Sequence, residues 1–326
     1  MAMLLPAHEF VKPASLAEAL ETLNASTGEV KLLAGGTDVV FNMRGRLFQP
    51  DVLLSIKDLP ELQRVEELGD GSLRIGAGCR LTDLERNHHL RRHPALIKVC
   101  GAVASRHVRN MATLGGNLCL DTRCWYVNQT AQWREAKGPC LKTGVNVCHA
   151  IKSSDVCVAL SASDLAPVLI VLDAVTTLAS VSGTREVPLA EFYTGDGIAH
   201  TVRRADEIMT AVTVPPSEDR VVFIKETARK GNDFSYGVIA ARADGSGDSL
   251  TTATLVIGCM TTRPVMLNKP AAIIAERGLT KSAIDAVAEA TREELGPLTS
   301  LYTPAAYKGT LARTLVRRAL NELRLQ

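Results

Sequence analysis

Two short glycine turns constrain this chain more than any other feature. Val30 to Ala34 reads as a short buried strand that runs straight into Gly35-Gly36-Thr37-Asp38, after which Val39 to Arg44 can start a helix. Strand, glycine turn, helix is the layout in which backbone N–H groups point outward at an anion. Gly35 and Gly36 allow close backbone approach and positive φ, and Thr37 adds a hydroxyl donor. Alone, the turn is a weak signal and reads better as an ordinary strand-to-helix connection. A second turn, Thr113-Leu114-Gly115-Gly116-Asn117, follows the segment Arg106 to Ala112. A dinucleotide carries two phosphates, so two amide-rich turns clasping one pyrophosphate is an economical reading. Neither turn has the G-x-G-x-x-G spacing of a Rossmann site or the G-K-[ST] ending of a P-loop. The fold must therefore be a different one.

Composition narrows the class. A chain of 326 residues suggests two to three domains. Hydrophobic residues at 46% and charged residues at 22% can bury a good core. Aromatics at 4% argue against a base-stacking nucleic-acid surface, and a formal charge of +2 gives no field selecting polyanions. No apolar run approaches the roughly 20 residues of a membrane span. Pro6, His8 and Glu9 interrupt the N-terminus too early for a signal-peptide core. These features predict a cytoplasmic protein whose thiols stay reduced, with no nucleic-acid or membrane partner.

Half of the eight cysteines fall in one polar, loop-like stretch between the second glycine turn and Pro167. Cys124, Cys140, Cys148 and Cys157 are spaced C-x15-C-x7-C-x8-C among Asp, Lys, Gly, Asn and Ser. Four thiolates suit either zinc or an iron–sulfur cluster. Zinc ribbons favour paired C-x2–4-C spacing, which is lacking here, so a 4Fe–4S cluster ranks ahead of zinc. Free or disulfide-bonded cysteines are the remaining alternative, and His149 could serve a zinc variant. Cys79, Cys100 and Cys259 sit inside apolar patterns and read as inert buried thiols, with Cys119 a packing residue beside the glycine turn. His88, His89 and His93 lie among arginines and read as a solvated face.

The remaining pattern outlines the elements. Ser15-Leu16-Ala17-Glu18 is a capping box for a helix with Leu16, Ala19, Leu20 and Leu23 on one face. Thr82-Asp83-Leu84-Glu85 looks like a second one, and a helix follows Pro94. Asp51 to Ile56 and Leu73 to Gly78 read as strands. Pro167 to Ser180 is expected to be a strand pair or bent strand, and Val187 to Phe192, Ile208 to Val214 and Val221 to Thr227 continue the β pattern. Val214-Pro215-Pro216-Ser217-Glu218-Asp219 is the best domain boundary. Beyond it, Tyr236 to Ala243 and Thr252 to Met260 read as strands, and Lys281 to Leu295 and Pro304 to Leu325 as helices, the last capped by Thr303.

With both turns in view, Leu33 to Val39, Arg109 to Leu118 and Ser163 to Ala174 resemble the FAD-binding subunits of the xanthine dehydrogenase and carbon monoxide dehydrogenase family. The resemblance covers most of the chain. It implies an α+β protein with a vanillyl-alcohol-oxidase-like (PCMH-type) FAD fold of two α/β subdomains, residues 1–57 and 58–217. A C-terminal α/β domain of the CO dehydrogenase flavoprotein type then covers residues 218–326. It further implies that Ala34, Gly35, Gly36, Thr37 and Asp38 line one side of the FAD pyrophosphate and Thr113, Leu114, Gly115, Gly116 and Asn117 the other. Asp164 faces the ribityl or flavin end, Tyr193 covers the flavin, and Lys230 and Asp233 fall near a flavin-facing loop. Family members usually pass from the second turn to the Ser163-like segment in about ten residues, whereas here an insertion spans roughly 120–161. In that departure the chain is similar to the 4-hydroxybenzoyl-CoA reductase branch, which carries an extra 4Fe–4S cluster there.

The resemblance thus implies an electron-transfer subunit with no catalytic residues of its own. Its partners are a molybdenum-cofactor (molybdopterin) subunit and a subunit with two 2Fe–2S clusters, assembled as a dimer of heterotrimers. Electrons run from ferredoxin through the 4Fe–4S cluster and FAD to 2Fe–2S and molybdenum, for reductive dehydroxylation of 4-hydroxybenzoyl-CoA to benzoyl-CoA. Two rivals stay open: an oxidative hydroxylase with outward flow, and a flavoprotein whose zinc-bound insertion is only a docking surface.

Overall fold

The computed structural model describes residues 4–217, 220–229, 231, 233–244, 252–295 and 303–325. Its strands form three separate sheets. The first contains β1 (Glu9–Val11), β2 (Val30–Leu33) and β3 (Val52–Ser55), with β3 central and parallel to both neighbours. The second contains β4 (Val65–Glu67), β5 (Leu73–Gly76), β6 (Val175–Ser180), β7 (Gly183–Pro188) and β8 (Ile208–Val214), antiparallel in the order β4-β5-β8-β6-β7. The third contains β9 (Arg220–Glu226), β10 (Gly237–Asp244), β11 (Thr252–Gly258) and β12 (Val265–Met266), antiparallel in the order β12-β11-β10-β9. Helices Asn268–Arg277, Lys281–Leu295 and Ala305–Leu325 cover it. Among the described residues no helix is long and apolar enough to cross a membrane.

Parallel strands need crossover connections. The helix Leu16–Ala25 supplies the one between β1 and β2, buries Ala19, Leu20 and Leu23, and is capped by Ser15 Oγ accepting from Glu18 N. The Glu18 carboxylate reaches back to Ala14 N at 2.7 Å. The first sheet's core continues onto Ala179 and Ile208, so it rests on the second sheet. The second and third units share one larger core. Leu165, Leu169, Val212 and Val214 cluster with Phe223, Val238, Ala240 and Val256.

Three expectations need correction. Pro167 to Ser180 is not a strand pair: Leu165–Val171 is a helix, and only Val175–Ser180 is a strand. All seven helical residues are buried, so the segment is apolar all round and carries no period by which to tell helix from strand. Ser163 Oγ accepts from Ala166 N at 3.1 Å, and Pro167 falls in the first turn, where its missing N–H costs nothing. Asp173, at φ 52°, turns the chain into β6. The second capping box does not form. Its helix starts at Leu81 with no side-chain cap, and the Thr82 hydroxyl donates to Asn110 Oδ1 at 2.8 Å. Val187 to Phe192 leaves the sheet at Pro188, which cannot donate to a ladder, and continues as a 3-10 turn, Leu189–Glu191.

Candidate functional site

A cavity of about 970 Å³ opens where the three units meet. That is the upper end of the usual 300–1,000 Å³, or roughly so, for small-molecule sites. Its wall takes Ala34, Gly35, Gly36, Thr37 and Asp38 from the loop after β2, and Thr113, Gly115, Gly116 and Asn117 from the second turn. Asp164, Asp233, Phe234 and Ser235 line it as well, as do Arg123 and Lys142 from the insertion.

The first glycine turn packs against the segment that leads into the second. A Cβ on Gly35 would lie 1.9 Å from the Met111 carbonyl oxygen, so only glycine lets the two backbones approach there. Gly36 has φ +72°. The amides of Gly35, Gly36, Thr37 and Asp38 have no hydrogen-bond partner among the described residues. Four consecutive free donors on a cavity wall suit a phosphate group, and the residues present therefore fit a dinucleotide such as FAD.

The second turn differs from expectation. It is a one-turn helix, Leu114–Leu118, capped by Thr113 Oγ1 accepting from Gly116 N at 3.1 Å. Leu114 N donates to Cys79 O, Gly115 N to Ala77 O and Asn117 N to Thr113 O. Its amides are spent on the fold, because Gly115 must pack tightly on Ala77, 2.7 Å from where its own Cβ would be. Leu114 is fully buried and points into the core rather than the cavity. Asn117 Oδ1 accepts from Ser163 Oγ at 2.8 Å, tying this turn to the Asp164 segment.

Two cavity carboxylates are held by cations. Asp164 takes Lys225 Nζ at 2.7 Å and Ser235 Oγ at 2.6 Å, both from the C-terminal domain. Asp38 takes Arg123 at 2.7 Å and Asn42 Nδ2 at 2.9 Å. Burial pushes the Asp38 carboxyl up, and the Arg123 guanidinium pulls it back. Tyr193 does not cover the cavity. Its ring is buried edge-on to Phe192 and its hydroxyl donates to Leu118 O at 3.0 Å. Burial raises that hydroxyl far above its ordinary value. Lys230 lies outside the described residues, and Asp233 pairs with Arg229 at 3.2 Å.

Sequence reasoning missed Arg123, Lys142 and Lys225. Lys142 is nearly buried, its ammonium reaching Asp121 Oδ1 at 2.7 Å, Thr122 Oγ1 at 2.6 Å and Gly197 O at 2.8 Å. Their only sequence signal is a cation inside a polar or β segment, which gives no partner.

Beside this wall the insertion gathers its thiols. Cys140, Cys148 and Cys157 are buried and Cys124 is partly so. Burial pushes the Cys124 thiol up, and Cys157, Cys140 and Cys148 each add to that push. Cys157 is likewise raised by burial, opposed by Lys142 and reinforced by Cys140 and Cys148. The four sulfurs thus lie within electrostatic reach of one another. Among the described residues, no three His, Cys, Asp or Glu side chains are placed to hold a single metal ion. His149 is engaged elsewhere, its Nε2 paired with Gly138 O at 3.0 Å. Outside the insertion, burial pushes the Cys79 thiol up to about 11 and Cys100 to about 12, while the partly buried Cys119 lines the cavity.

Comparison with known proteins places this geometry. Residues 6–217 match the family described as FAD binding domain in molybdopterin dehydrogenase, and residues 223–323 the CO dehydrogenase flavoprotein C-terminal domain. The aldehyde oxidoreductase FAD-binding subunit PaoB of Escherichia coli K12 is 34% identical over 230 residues, 67% of this chain and 72% of that one. The nicotinate dehydrogenase FAD-subunit of Eubacterium barkeri is 29% identical over 287 residues, 85% and 83% of the two chains. A solved carbon monoxide dehydrogenase of Hydrogenophaga pseudoflava superposes with a TM-score of 0.81 at 24% identity, over 98% of each chain. The matched domains, the fold and the phosphate-fitting turn agree, and this chain belongs to the FAD-binding subunits of the xanthine dehydrogenase and CO dehydrogenase family of molybdenum hydroxylases.

Proposed function

We propose that this oxidoreductase subunit is an electron relay that holds FAD in the cavity and a 4Fe–4S cluster on Cys124, Cys140, Cys148 and Cys157. What supports the reading is that the fold gathers the four insertion cysteines, three of them buried, beside the cavity wall, with Cys124 and Cys157 each feeling the charges of Cys140 and Cys148. Gly197 links the two places: its amide donates to Cys157 O at 2.8 Å and its carbonyl accepts from the cavity-lining Lys142. Bound FAD exchanges electrons singly or in pairs and so joins donors of different stoichiometry. The chain's own residues do the rest. The free amides of Gly35 to Asp38 hold phosphate, Asp164 with Lys225 and Ser235 fixes charge at the far wall, and the insertion keeps the thiols dry.

In this reading the chain works in the cytoplasm with a molybdopterin-bearing subunit and a 2Fe–2S subunit, as a dimer of heterotrimers. It takes electrons from ferredoxin and passes them inward for reductive dehydroxylation of 4-hydroxybenzoyl-CoA. An oxidative dehydrogenase is the second reading, favoured by relatives whose names are those of dehydrogenases acting on nicotinate or carbon monoxide. Anaerobic purification with flavin, iron, sulfide and zinc analysis tests the relay. The expected result is one FAD with about four iron and four sulfide per chain, the iron lost in Cys140→Ser. One zinc and no iron would sink it, and a cluster potential far above the flavin's would reverse the direction of flow.

A further inference from the structure

The insertion does more than carry thiols. Its neck is the pair Arg123 and Leu160, which exchange two backbone hydrogen bonds at 2.8 Å each. From that neck the Arg123 guanidinium reaches the phosphate-fitting turn, 2.7 Å from Asp38 Oδ1, and lies 4.2 Å from the centroid of Phe234 in the C-terminal domain. All three residues line the cavity. Asp38 is held on its other side by Asn42 Nδ2, whose Oδ1 accepts from Asn128 Nδ2 at 3.3 Å, and Asn128 Oδ1 accepts from Cys124 N at 2.8 Å. One continuous chain of polar contacts therefore runs from the first insertion cysteine to the glycine turn and on to the third domain.

Asp38 poses a problem for an anionic ligand. Its carboxylate sits in the same turn as the four free amides, so an uncompensated charge there would repel phosphate in a poorly screened site. We propose that Arg123 is the residue that makes this turn acceptable to the FAD pyrophosphate, by neutralising Asp38 while its guanidinium stays stacked on Phe234. The insertion thereby completes the cofactor site. This rests on reading the cavity as the FAD site, and it holds whether or not the four thiols take iron.

The test is FAD affinity of the full chain, stripped of flavin and titrated with FAD by fluorescence quenching. Arg123→Met is expected to weaken binding about ten-fold or more, because Asp38 is then left charged and unpaired. The double variant Asp38→Asn/Arg123→Met should recover most of that loss, and Asp38→Asn alone should bind at least as tightly as the unaltered chain. Unchanged affinity in Arg123→Met, a double variant no better than the single, or weaker binding in Asp38→Asn would each overturn the proposal. If Arg123→Met does not fold, the Asp38→Asn arm still decides. An unaltered chain that binds no FAD would instead refute the reading of the cavity.

Discussion

A methyl group at Gly35 would meet the Met111 carbonyl oxygen at 1.9 Å and its carbon at 2.5 Å, both rigid backbone atoms. Gly35→Ala must push the first glycine turn away from the segment leading into the second. Overpacking of this kind costs about 1–3 kcal/mol, and the displaced turn should also lose flavin. A lowered melting temperature together with a fall in the flavin-to-protein ratio is the expected outcome. A variant with the native melting point and full flavin would show that these two segments are not in contact. Gly35 and Gly36 could be singled out from sequence because close approach and positive φ leave few residue choices. The four insertion cysteines could be grouped because their polar surroundings differ from those of Cys79 or Cys100. Arg123 could not, since its partner Asp38 stands 85 residues away and the sequence holds many arginines. Tyr193 was misread for the same reason. A tyrosine beside a flavin and one buried against Leu118 look alike until the chain is folded.

At the scale of elements, alternating strands bounded by turn residues were legible. The buried helix Leu165–Val171 was not, because uniform burial erases the period that distinguishes the two structures. The edge of the second sheet makes a separate point about charge. Arg185 on β7 grips Glu207, just before β8, at 2.6 and 2.9 Å, and Glu207 also accepts from Arg204 N at 2.7 Å. The Arg185 hydrogen bond holds the Glu207 carboxyl below its ordinary range, against the opposite pull of burial. A carboxyl depressed on folding stabilises the protein above its unfolded value, about 4.3, and loses that contribution as pH falls through the folded one. Glu207→Gln should therefore cost on the order of 2 kcal/mol at neutral pH and flatten the loss of stability below about pH 4.3. Urea unfolding of both proteins at pH 7 and across the acid range measures this. Parallel pH curves for the two would show that Glu207 is not a source of the acid sensitivity.

For the whole molecule, the question is whether the C-terminal domain is an independent cover or part of one folding unit. Phe223, Val238, Ala240 and Val256 of its sheet share a core with Leu165 and Leu169 of the preceding subdomain. Across the same boundary Lys225 Nζ bonds Asp164 at 2.7 Å and Ala102 O at 2.9 Å, with side-chain exposures of 10% and 8% for the ion pair. Removing one partner of such a buried pair strands the other charge, at a cost of roughly 3–5 kcal/mol. Because the apolar contacts spanning the boundary remain, Lys225→Met should not release the C-terminal domain alone. It should lower one common transition, seen together by calorimetry and by proteolysis between residues 214 and 220. Two resolved transitions, with only the later residues becoming cleavable at the lower one, would mean that the domain is a separate lid held by Lys225. A single shifted transition would mean that the cavity's third wall is built by the same cooperative event that forms the core behind it. FAD would then meet a finished pocket rather than one that must close around it.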